Sequence, residues 1–385
     1  MKQKKSKKIV LINQVTGYLF IDVVNAFSEE YDEVILFSGV VKPMGVELSN
    51  KVKVVKIKKY NKSSTKTRIA SWILGLIQIV YLLNIKYRKY EVLASSNPPT
   101  LNWLPLLTTN KASLLVYDVY PDGLIAGGFS KPGSLIVRFW SYLNKKSFDK
   151  FNSITTLTDG MSKLLTNYSE KQKIEVIPVW MNQEIEKLSI PKSENQFIKK
   201  YNLEDKFLIV YSGNLGKGYD LEKLVELSKS IQNFNKIKII IIGEGYKRKE
   251  LEELIKKLNV DNCLLLPYQP AELFKHVLSA MDVGVVALDP AAAQIAIPSK
   301  TFNIIAVGKP IISFSPKNSD LANLIEKDNF GKNFSEGNKI DLKSFLIKLF
   351  EDKKYYNELC QNTKISSKRY TFENSKDILK LHLNN

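Results

Sequence analysis

Short apolar runs alternate with longer helical patterns along the whole chain, and this alternation most constrains the fold. Such alternation is typical of βαβ units, whose strands lie parallel in a sheet covered by helices. The N-terminal half predicts strands at Ile9–Ile12, Glu33–Phe37, Val52–Ile57, Glu91–Ala94, Leu114–Asp118, Ser153–Leu157 and Ile174–Ile177. The C-terminal half predicts strands at Phe207–Tyr211, Lys236–Ile242, Cys263–Leu266, Val283–Ala287 and Pro310–Phe314. We therefore expect an α/β protein with two doubly wound domains, which bind ligands at the carboxyl ends of their strands.

The domain boundaries are predicted from composition. The chain has 385 residues, enough for two domains of ordinary size. The segment Asn182–Ser193 is polar, contains a proline and is typical of a linker. We place an N-terminal domain at 1–182, a linker at 183–200, a C-terminal domain at 201–368 and a last helix within 369–385.

The formal net charge is +18, from 57 lysines and arginines against 39 acidic residues. Such a balance favours anionic partners, namely nucleic acid, anionic lipid or phosphorylated substrates. The lysines are spread along the chain without a nucleic-acid-binding motif, so nucleic acid is not an expected partner. The two cysteines and two histidines form neither a metal-ligand spacing nor a disulfide framework, which fits a reducing cytoplasm.

Three turns marked by glycine or proline in the C-terminal half each follow a predicted strand or open a predicted helix. Gly213, Gly216 and Gly218 surround Lys217, while Gly243 and Glu244 form the second turn. The third turn has Pro298, Ser299 and Lys300 at a predicted helix start. Backbone N–H groups at helix starts attract anions, and the two lysines add positive charge. The best candidate ligand is the diphosphate of a nucleotide.

Eight segments, in order along the chain, carry a resemblance to a known family. The chain resembles the GT-B glycosyltransferases of the large retaining family 4, and is most similar to bacterial capsule, O-antigen and colanic-acid enzymes. The segments are SSNPPT (95–100), YDVYPDG (117–123), TLTDGM (156–161), VIPVWMN (176–182), YSGNLGKGYDLE (211–222), IIGEGYKRKEL (241–251), LPYQP (266–270) and IPSKTFNIIAVGKPII (297–312).

The resemblance implies two Rossmann-like domains that face each other across a cleft, with the last helix (369–385) returning to the N-terminal domain. It implies a UDP- or GDP-linked sugar donor in the C-terminal domain and a polyprenyl-diphosphate-linked glycan acceptor in the N-terminal domain. It also implies transfer with retention, and we expect neither a metal nor a cofactor, because lysines can stabilise the leaving diphosphate.

The resemblance also assigns residue roles. Asp118 and Lys217 are the predicted catalytic residues, and Thr16 and Asn97 are predicted on the acceptor side. The predicted donor-binding residues are Gly17, Gly213, Asn214, Gly216, Gly218, Gly243, Glu244, Tyr268, Gln269, Pro298, Ser299, Lys300 and Asn303.

The chain departs from the family pattern at several positions, and the double glycine that the family usually has near Thr16 and Gly17 is one of the missing features. Asn214 stands where many members have arginine, and Ile295 and Asn303 stand where common members have two glutamates. Asn303 can still hydrogen-bond a ribose diol, because an amide is both donor and acceptor. Ile295 cannot replace a carboxylate, so we expect a donor held differently or a weak activity.

Each role has a structural alternative. The glycines could serve tight turns beside a solvated Lys217, and Ser299 and Lys300 could serve as a helix cap and a solvated charge. Tyr268 could pack, and Asp118 could form a turn before proline. At the level of the whole chain, a GT-B nucleotide-sugar epimerase and a non-catalytic partner subunit remain alternatives.

The last prediction concerns membranes. The apolar stretch Trp72–Leu83 has basic residues on both sides and is expected to be too short to span a bilayer. It could be a buried helix, or a partly exposed helix that dips into an anionic leaflet. The lysine-rich start would add attraction, and it lacks the apolar length of a signal peptide. We therefore expect a cytoplasmic protein, peripheral on the inner face of the cytoplasmic membrane.

Overall fold

The computed structural model describes residues 6–43, 45–171, 173–186, 188–293, 295, 297–335 and 339–384. Lys2, Lys4 and Lys5 of the basic start lie outside these ranges. The chain forms two compact units. The first unit comprises 1–182, 294–296 and 372–385, and the second comprises 183–293 and 297–371.

The first unit contains nine strands and five helices up to residue 182. The strands are β1 (Lys8–Ile12), β2 (Val15–Thr16), β3 (Glu33–Ser38), β4 (Val40–Val41), β5 (Val52–Lys56), β6 (Glu91–Ser95), β7 (Ala112–Val116), β8 (Ile154–Thr156) and β9 (Ile174–Val176). The helices are α1 (Tyr18–Glu30), α2 (Thr65–Ile85), α3 (Asp122–Ala126), α4 (Leu135–Ser147) and α5 (Asp159–Leu165). A 3-10 helix at Pro99–Leu106 lies between β6 and β7.

Seven of these strands form one parallel sheet in the order β5-β3-β1-β6-β7-β8-β9. Alternate residues of β1 enter opposite faces, as the pleat of a strand requires. Ile9 and Leu11 join the core under α1, while Val10 and Ile12 join the core under α2. The strand order reverses between β1 and β6, so this unit has its switch point there.

The second unit contains six further strands, which form the parallel order β12-β11-β10-β13-β14-β15. The strands are β10 (Phe207–Ser212), β11 (Ile237–Ile242), β12 (Cys263–Leu266), β13 (Val283–Ala287), β14 (Ile311–Phe314) and β15 (Gly331–Asn333). The helices are α6 (Gln183–Glu186), α7 (Gln196–Tyr201), α8 (Glu222–Ser230), α9 (Arg248–Leu258), α10 (Ala271–Ala280), α11 (Lys300–Ala306), α12 (Asp320–Asp328), α13 (Lys339–Glu351) and α14 (Lys353–Ser367). This is the strand order of a dinucleotide-binding fold, with its switch point between β10 and β13.

The last helix, α15 (Glu373–Asn384), belongs to the first unit and packs beside α1. Its buried His382 lies 2.9 Å from the Ser113 hydroxyl and 3.2 Å from a Glu91 carboxylate oxygen. Hydrogen bonding to His382 lowers the pKa of Glu91 to about 2, and the Tyr31 hydroxyl also donates to this carboxylate. The helix is therefore attached by a polar cluster as well as by apolar packing.

Three predictions of local structure differ from the structure. The predicted linker 183–200 contains α6 and most of α7, because Asn195 caps α7 by accepting from two backbone N–H groups. Strand β15 was missed, since its short sequence GKN lacks an apolar run. The apolar stretch Trp72–Leu83, expected to be too short to span a bilayer, is part of α2, whose 21 residues could cross a membrane by length and composition.

Candidate functional site

Two glycine turns touch at the carboxyl end of the second sheet. The Gly213 N–H, directly after β10, donates to the Ile242 carbonyl at 2.9 Å. The Gly213 carbonyl then lies against Gly243, where an added Cβ would come within 1.9 Å of its oxygen. Gly213 and Gly243 have φ values of +154° and +155°, which favour glycine. The turns can be this close because Gly243 lacks a side chain, whereas the missing side chain at Gly213 leaves room for Lys300.

Backbone hydrogen bonds hold the loop after Gly213 in place. The Leu215 N–H donates to the Glu244 carbonyl at 2.9 Å, and the Lys247 N–H donates to the Leu215 carbonyl at 3.1 Å. The Glu244 carboxylate is exposed and pairs with Arg248 at 3.2 Å. Glu244 therefore contributes to the site through its backbone, whereas its carboxylate is paired with Arg248, the first residue of α9.

Lys300, the first residue of α11, reaches this turn with its ammonium group. An added Cβ on Gly213 would lie 2.3 Å from Lys300 Nζ, and Nζ lies 4.0 Å from the centre of the Tyr211 ring. Burial lowers the pKa of Lys300 to about 8. Within the described ranges, its ammonium has no carboxylate partner. A half-buried cation without a counter-ion favours an anionic ligand.

Lys217 provides a second cation on the same loop. Its side chain is exposed, and Nζ lies 5.6 Å from the centre of the Tyr246 ring. The neighbouring cations Lys247 and Arg248 are already paired with carboxylates. Among the residues that the structure describes, Lys217 has no such pair. Lys217 and Lys300 are therefore the charges that this loop offers to a ligand.

Asp289 lies at this loop and was not anticipated from the sequence. An added Cβ on Gly218 would lie 1.8 Å from Asp289 Oδ2, so the carboxylate fills the space of a side chain there. Its other oxygen accepts from the Ala291 N–H at 3.0 Å. The absence of a side chain at Gly218 thus accommodates a protein carboxylate. The sequence signal for Asp289 was the pair Asp289-Pro290 shortly after β13, and such a pair indicates a turn but not a contact with Gly218.

A cavity of about 510 Å³ lies in the second unit next to this loop. Gly218, Leu288 and Pro290 form one part of its wall, and Phe314 and Ser315 at the end of β14 form another. Its volume is within the range of small-molecule sites. The cavity lies at the carboxyl ends of strands, where ligands bind in open α/β sheets.

Helix dipoles contribute less here than the sequence suggested. Helix α8 begins at Glu222, four residues after Gly218, and α11 has seven residues. Short helices have small dipoles, and the dipole effect decays within the first turn. Ser299 precedes α11 but its side chain makes no capping hydrogen bond, and Pro298 contributes its carbonyl to the Thr301 N–H at 2.9 Å. The lysine side chains are therefore the main source of positive potential.

The remaining predicted donor residues vary in availability. Tyr268 is exposed, and Asn303 is half-buried on α11. Gln269 is bound within the unit, since its amide accepts from the Tyr201 hydroxyl at 3.1 Å and donates to the Pro267 carbonyl at 2.9 Å. The Asn214 carbonyl accepts from the Tyr211 hydroxyl at 2.6 Å. Ile295 lies half-buried in a turn, and its apolar side chain has no group that could bind a sugar hydroxyl.

The first unit has its predicted residues at its own switch point. The Asn97 carbonyl, after β6, accepts from the Gln14 N–H, after β1, at 2.7 Å. Gly17 is the N-cap residue that precedes α1, and an added Cβ there would have no atom of the described residues within 4 Å. Thr16 is fully buried, and its hydroxyl bonds to the Asn13 carbonyl and to Ser38. Thr16 therefore shapes this turn, whereas Gly17 lies open beside it.

Asp118 follows β7 on the loop next to this switch point. The Ser96 hydroxyl accepts from the backbone N–H groups of Tyr117 and Asp118, at 2.9 Å and 3.1 Å, and so fixes the start of the loop. The Asp118 side chain is solvent-exposed, yet the surrounding protein desolvates its carboxyl and raises its pKa. A raised pKa suits a group that exchanges protons near neutral pH.

Comparison with known proteins identifies the second unit. Residues 193–366 match the family model described as Glycosyl transferases group 1. The chain carries a group 1 glycosyltransferase domain. The predicted enzyme class is thereby confirmed, while membership of family 4 stays a prediction.

Two relatives of this glycosyltransferase are themselves named as glycosyltransferases, and the name of one places it in colanic acid biosynthesis. It is 24% identical over 302 residues to the "Probable glycosyltransferase WbjE" of Pseudomonas aeruginosa, covering 75% of this chain and 74% of that protein. It is 22% identical over 235 residues to the "Putative colanic acid biosynthesis glycosyl transferase WcaI" of Escherichia coli (strain K12). That second match covers 59% of this chain and 57% of the relative.

Solved structures confirm the GT-B fold of this glycosyltransferase. Anabaena Alr3699/HepE, crystallised in complex with UDP, has a TM-score of 0.72 at 12% identity over 98% of this chain and 99% of that one. A glycosyltransferase from Rickettsia africae has a TM-score of 0.74 at 13% identity, with 98% of each chain covered. WaaG, a lipopolysaccharide glycosyltransferase, has a TM-score of 0.65 at 15% identity, with 96% and 99% covered. The predicted α/β class with two Rossmann-like domains is therefore confirmed.

Proposed function

We propose that this glycosyltransferase moves a sugar from a UDP- or GDP-linked donor to a lipid-linked or polysaccharide acceptor, with retention, in bacterial surface polysaccharide synthesis. The observation that carries the proposal is a pair of cations, Lys217 and Lys300, which lie beside the glycine turns of the second unit and have no carboxylate partner among the described residues. The name of WcaI supports the pathway, the name of WbjE supports the enzyme class, and HepE, whose fold is similar, was crystallised with UDP and UDP-glucose.

The chemistry follows from the charge that develops on the leaving group. The bond between the anomeric carbon and the diphosphate oxygen breaks, and the acceptor oxygen forms a new bond to that carbon on the same face. Negative charge grows on the diphosphate, where the ammonium groups of Lys217 and the half-buried Lys300 would stabilise it. We assign no metal and no cofactor, since the two lysines supply the electrostatic stabilisation.

Asp118 is proposed to take the proton of the acceptor hydroxyl or to hold the sugar. Its raised pKa fits the first role, because a base with a pKa nearer to neutral pH matches its working conditions. Exposure of the side chain leaves it accessible to a substrate.

Replacing Asp118 with asparagine is expected to lower kcat by about 10²-fold with a small change in donor KM, as for loss of a general base. The wild-type rate should decline as the pH falls through the raised pKa of Asp118, because protonation removes the base. This acidic decline should disappear in Asp118→Asn. Steady-state kinetics over a pH series measure both effects. A raised donor KM at unchanged kcat would make Asp118 a binding residue instead.

Calorimetry with UDP, GDP, ADP and dTDP tests the donor site and identifies the nucleobase of the donor. We expect one nucleotide to bind in the micromolar range and Lys217→Ala to weaken binding about tenfold, the loss of one charge-assisted contact. Lys229→Ala, at the exposed end of α8, is the matched control and should bind like the wild type.

Absence of binding to all four nucleotides would contradict the proposal. That result would favour a non-catalytic partner subunit. The supporting observation is that Ile295 and Asn303 stand where common family members have glutamates. Equal binding by the wild type and Lys217→Ala would remove Lys217 from the phosphate site and leave Lys300 as its cation.

We also propose that the protein is peripheral on the inner face of the cytoplasmic membrane, where a polyprenyl-linked acceptor would be present. The net charge of +18 favours an anionic leaflet. The length of α2 and its apolar composition support contact with lipid.

A further inference from the structure

The outward face of α2 is apolar along its whole length. Ile69, Ile73, Ile77, Tyr81 and Ile85 follow one another at intervals of four residues, and each is exposed. Side chains four apart are neighbours on a helix, so these five form a continuous ridge that is inclined to the helix axis. The opposite side packs into the core, so this helix is apolar on both its buried and its exposed face. An exposed apolar stripe of this length is unusual for a surface that faces only water.

Helix α4 presents a second apolar face of the same kind. Leu135, Phe139 and Tyr142 are exposed at helical spacing, and Leu135 is 83% exposed. Phe129, on the loop that precedes α4, is also exposed. No membrane prediction from the sequence involved this segment.

The two helices are neighbours in the first unit. Both pack on the 3-10 helix Pro99–Leu106. Rings connect them beneath the surface: Trp72 of α2 lies 5.8 Å from Tyr120, which lies 5.8 Å from Trp140 of α4. Above these rings, the Arg68 guanidinium at the start of α2 lies 4.6 Å from the centre of the Phe129 ring. The exposed faces of α2 and α4 are thus held in a fixed relation.

The segment of the chain that carries both helices is basic. Residues 57–146 contain thirteen lysines and arginines and three acidic residues, a net charge of +10 within the chain total of +18. Arg68 lies at the start of α2 and Lys86 follows its end, with no charged residue between them. Arg138, Lys145 and Lys146 are exposed on α4.

We propose that the exposed faces of α2 and α4, together with Phe129, form a single docking surface for an anionic lipid bilayer. The proposal deepens the membrane association proposed above and rests on it. Leucine, isoleucine and aromatic side chains would enter the boundary between headgroups and acyl chains, while the lysines and arginines contact anionic headgroups.

Two observations select this occupant. A second copy of the chain would bring an equally basic surface to the same face, and like charges oppose such a pairing. A span by α2 would remove Ile79 and Leu83 from the core that they share with the sheet and the 3-10 helix, and would remove the buried Trp72 from its contact with Tyr120. An anionic bilayer would cover the exposed apolar side chains and pair with the lysines and arginines. It would also leave α2 packed in its unit.

Vesicle binding by the full-length protein tests the proposal. The probes are vesicles of phosphatidylcholine alone and of phosphatidylcholine with 30 mol% phosphatidylglycerol, about the anionic content that a basic surface responds to. The variants are Leu135→Ser/Phe139→Ser on α4 and Ile73→Ser/Ile77→Ser on α2. Each should reduce partitioning to anionic vesicles at least about tenfold, since each removes two large apolar side chains. Binding of the wild type should weaken without phosphatidylglycerol and at high salt.

Ile365→Ser is the matched control, because Ile365 is exposed on α14 of the second unit. It should partition like the wild type. Unchanged partitioning of the α4 variant would overturn the two-helix surface, even if the α2 variant loses binding. The wild type could instead form dimers without lipid, and both variants could abolish these dimers. That result would overturn the lipid proposal and assign the surface to a second copy of the chain. Nucleotide binding by the same preparations separates this result from the donor site, because either can fail while the other holds.

Discussion

Replacing Lys300 with methionine is expected to lower kcat by about 10²- to 10³-fold, the loss typical of removing one preorganised stabilising group. Methionine keeps much of the length and apolar volume of lysine but removes the ammonium that lies over Gly213 and the Tyr211 ring. The fold should persist, because a cation without a carboxylate partner contributes little to stability by its charge. Steady-state kinetics, with thermal unfolding of the same preparations, measure both effects.

The pH dependence gives a second readout for Lys300. Its pKa is lowered from 10.5 to about 8 by burial, so in the free enzyme the ammonium is charged below that pH and neutral above it. The wild-type kcat/KM should therefore decline as the pH rises through about 8. In Lys300→Arg this decline should be absent, because a guanidinium stays protonated.

Lys309 is the matched control for Lys300, since it lies just beyond the other end of α11. Lys309→Met is expected to keep the wild-type rate. If Lys300→Met retained more than half of the wild-type kcat, the ammonium would be a buried structural charge and the donor site would lie elsewhere.

Replacing Gly243 with alanine is expected to destabilise the chain by about 2–5 kcal/mol, from a clash and an unfavourable φ together. An added Cβ would lie 1.9 Å from the Gly213 carbonyl oxygen, and that oxygen belongs to backbone that is hydrogen-bonded within the site. Relief of the clash must separate the two turns, which moves Gly213 away from Lys300. Nucleotide binding should therefore be lost as well, measured by calorimetry beside urea unfolding.

Gly216→Ala is the control for stability in the same loop. Its φ is not positive, and the nearest atoms to an added Cβ are 3.1–3.3 Å away at the ends of the Tyr219 and Asn214 side chains, which can move. We expect it to cost less than about 1 kcal/mol. Gly243→Ala with wild-type unfolding and binding would show that the turns can separate without harm, contrary to the geometry described above.

Much of the fold could be predicted because parallel strands are buried on both faces and appear in sequence as apolar runs. Strands such as β1, β10 and β11 lie within a residue or two of their predicted positions. Strand β15 could not be predicted, since three residues at a sheet edge carry no periodicity. The length of α2 was underestimated because the prediction stopped at the apolar run and not at the capping residue Ser64.

The sequence by itself determined the two doubly wound units and which turns lie at the carboxyl ends of their strands. Hydrophobic periodicity and glycine placement are local signals, so each can be seen within a short window. The contacts between the turns depend on residues far apart in the chain, and only the tertiary structure decided them. It brought Lys300 to Gly213 and Asp289 to Gly218, and it left the outer faces of α2 and α4 uncovered. No local pattern encodes these relations, because burial and charge pairing are set by what the sheet brings together.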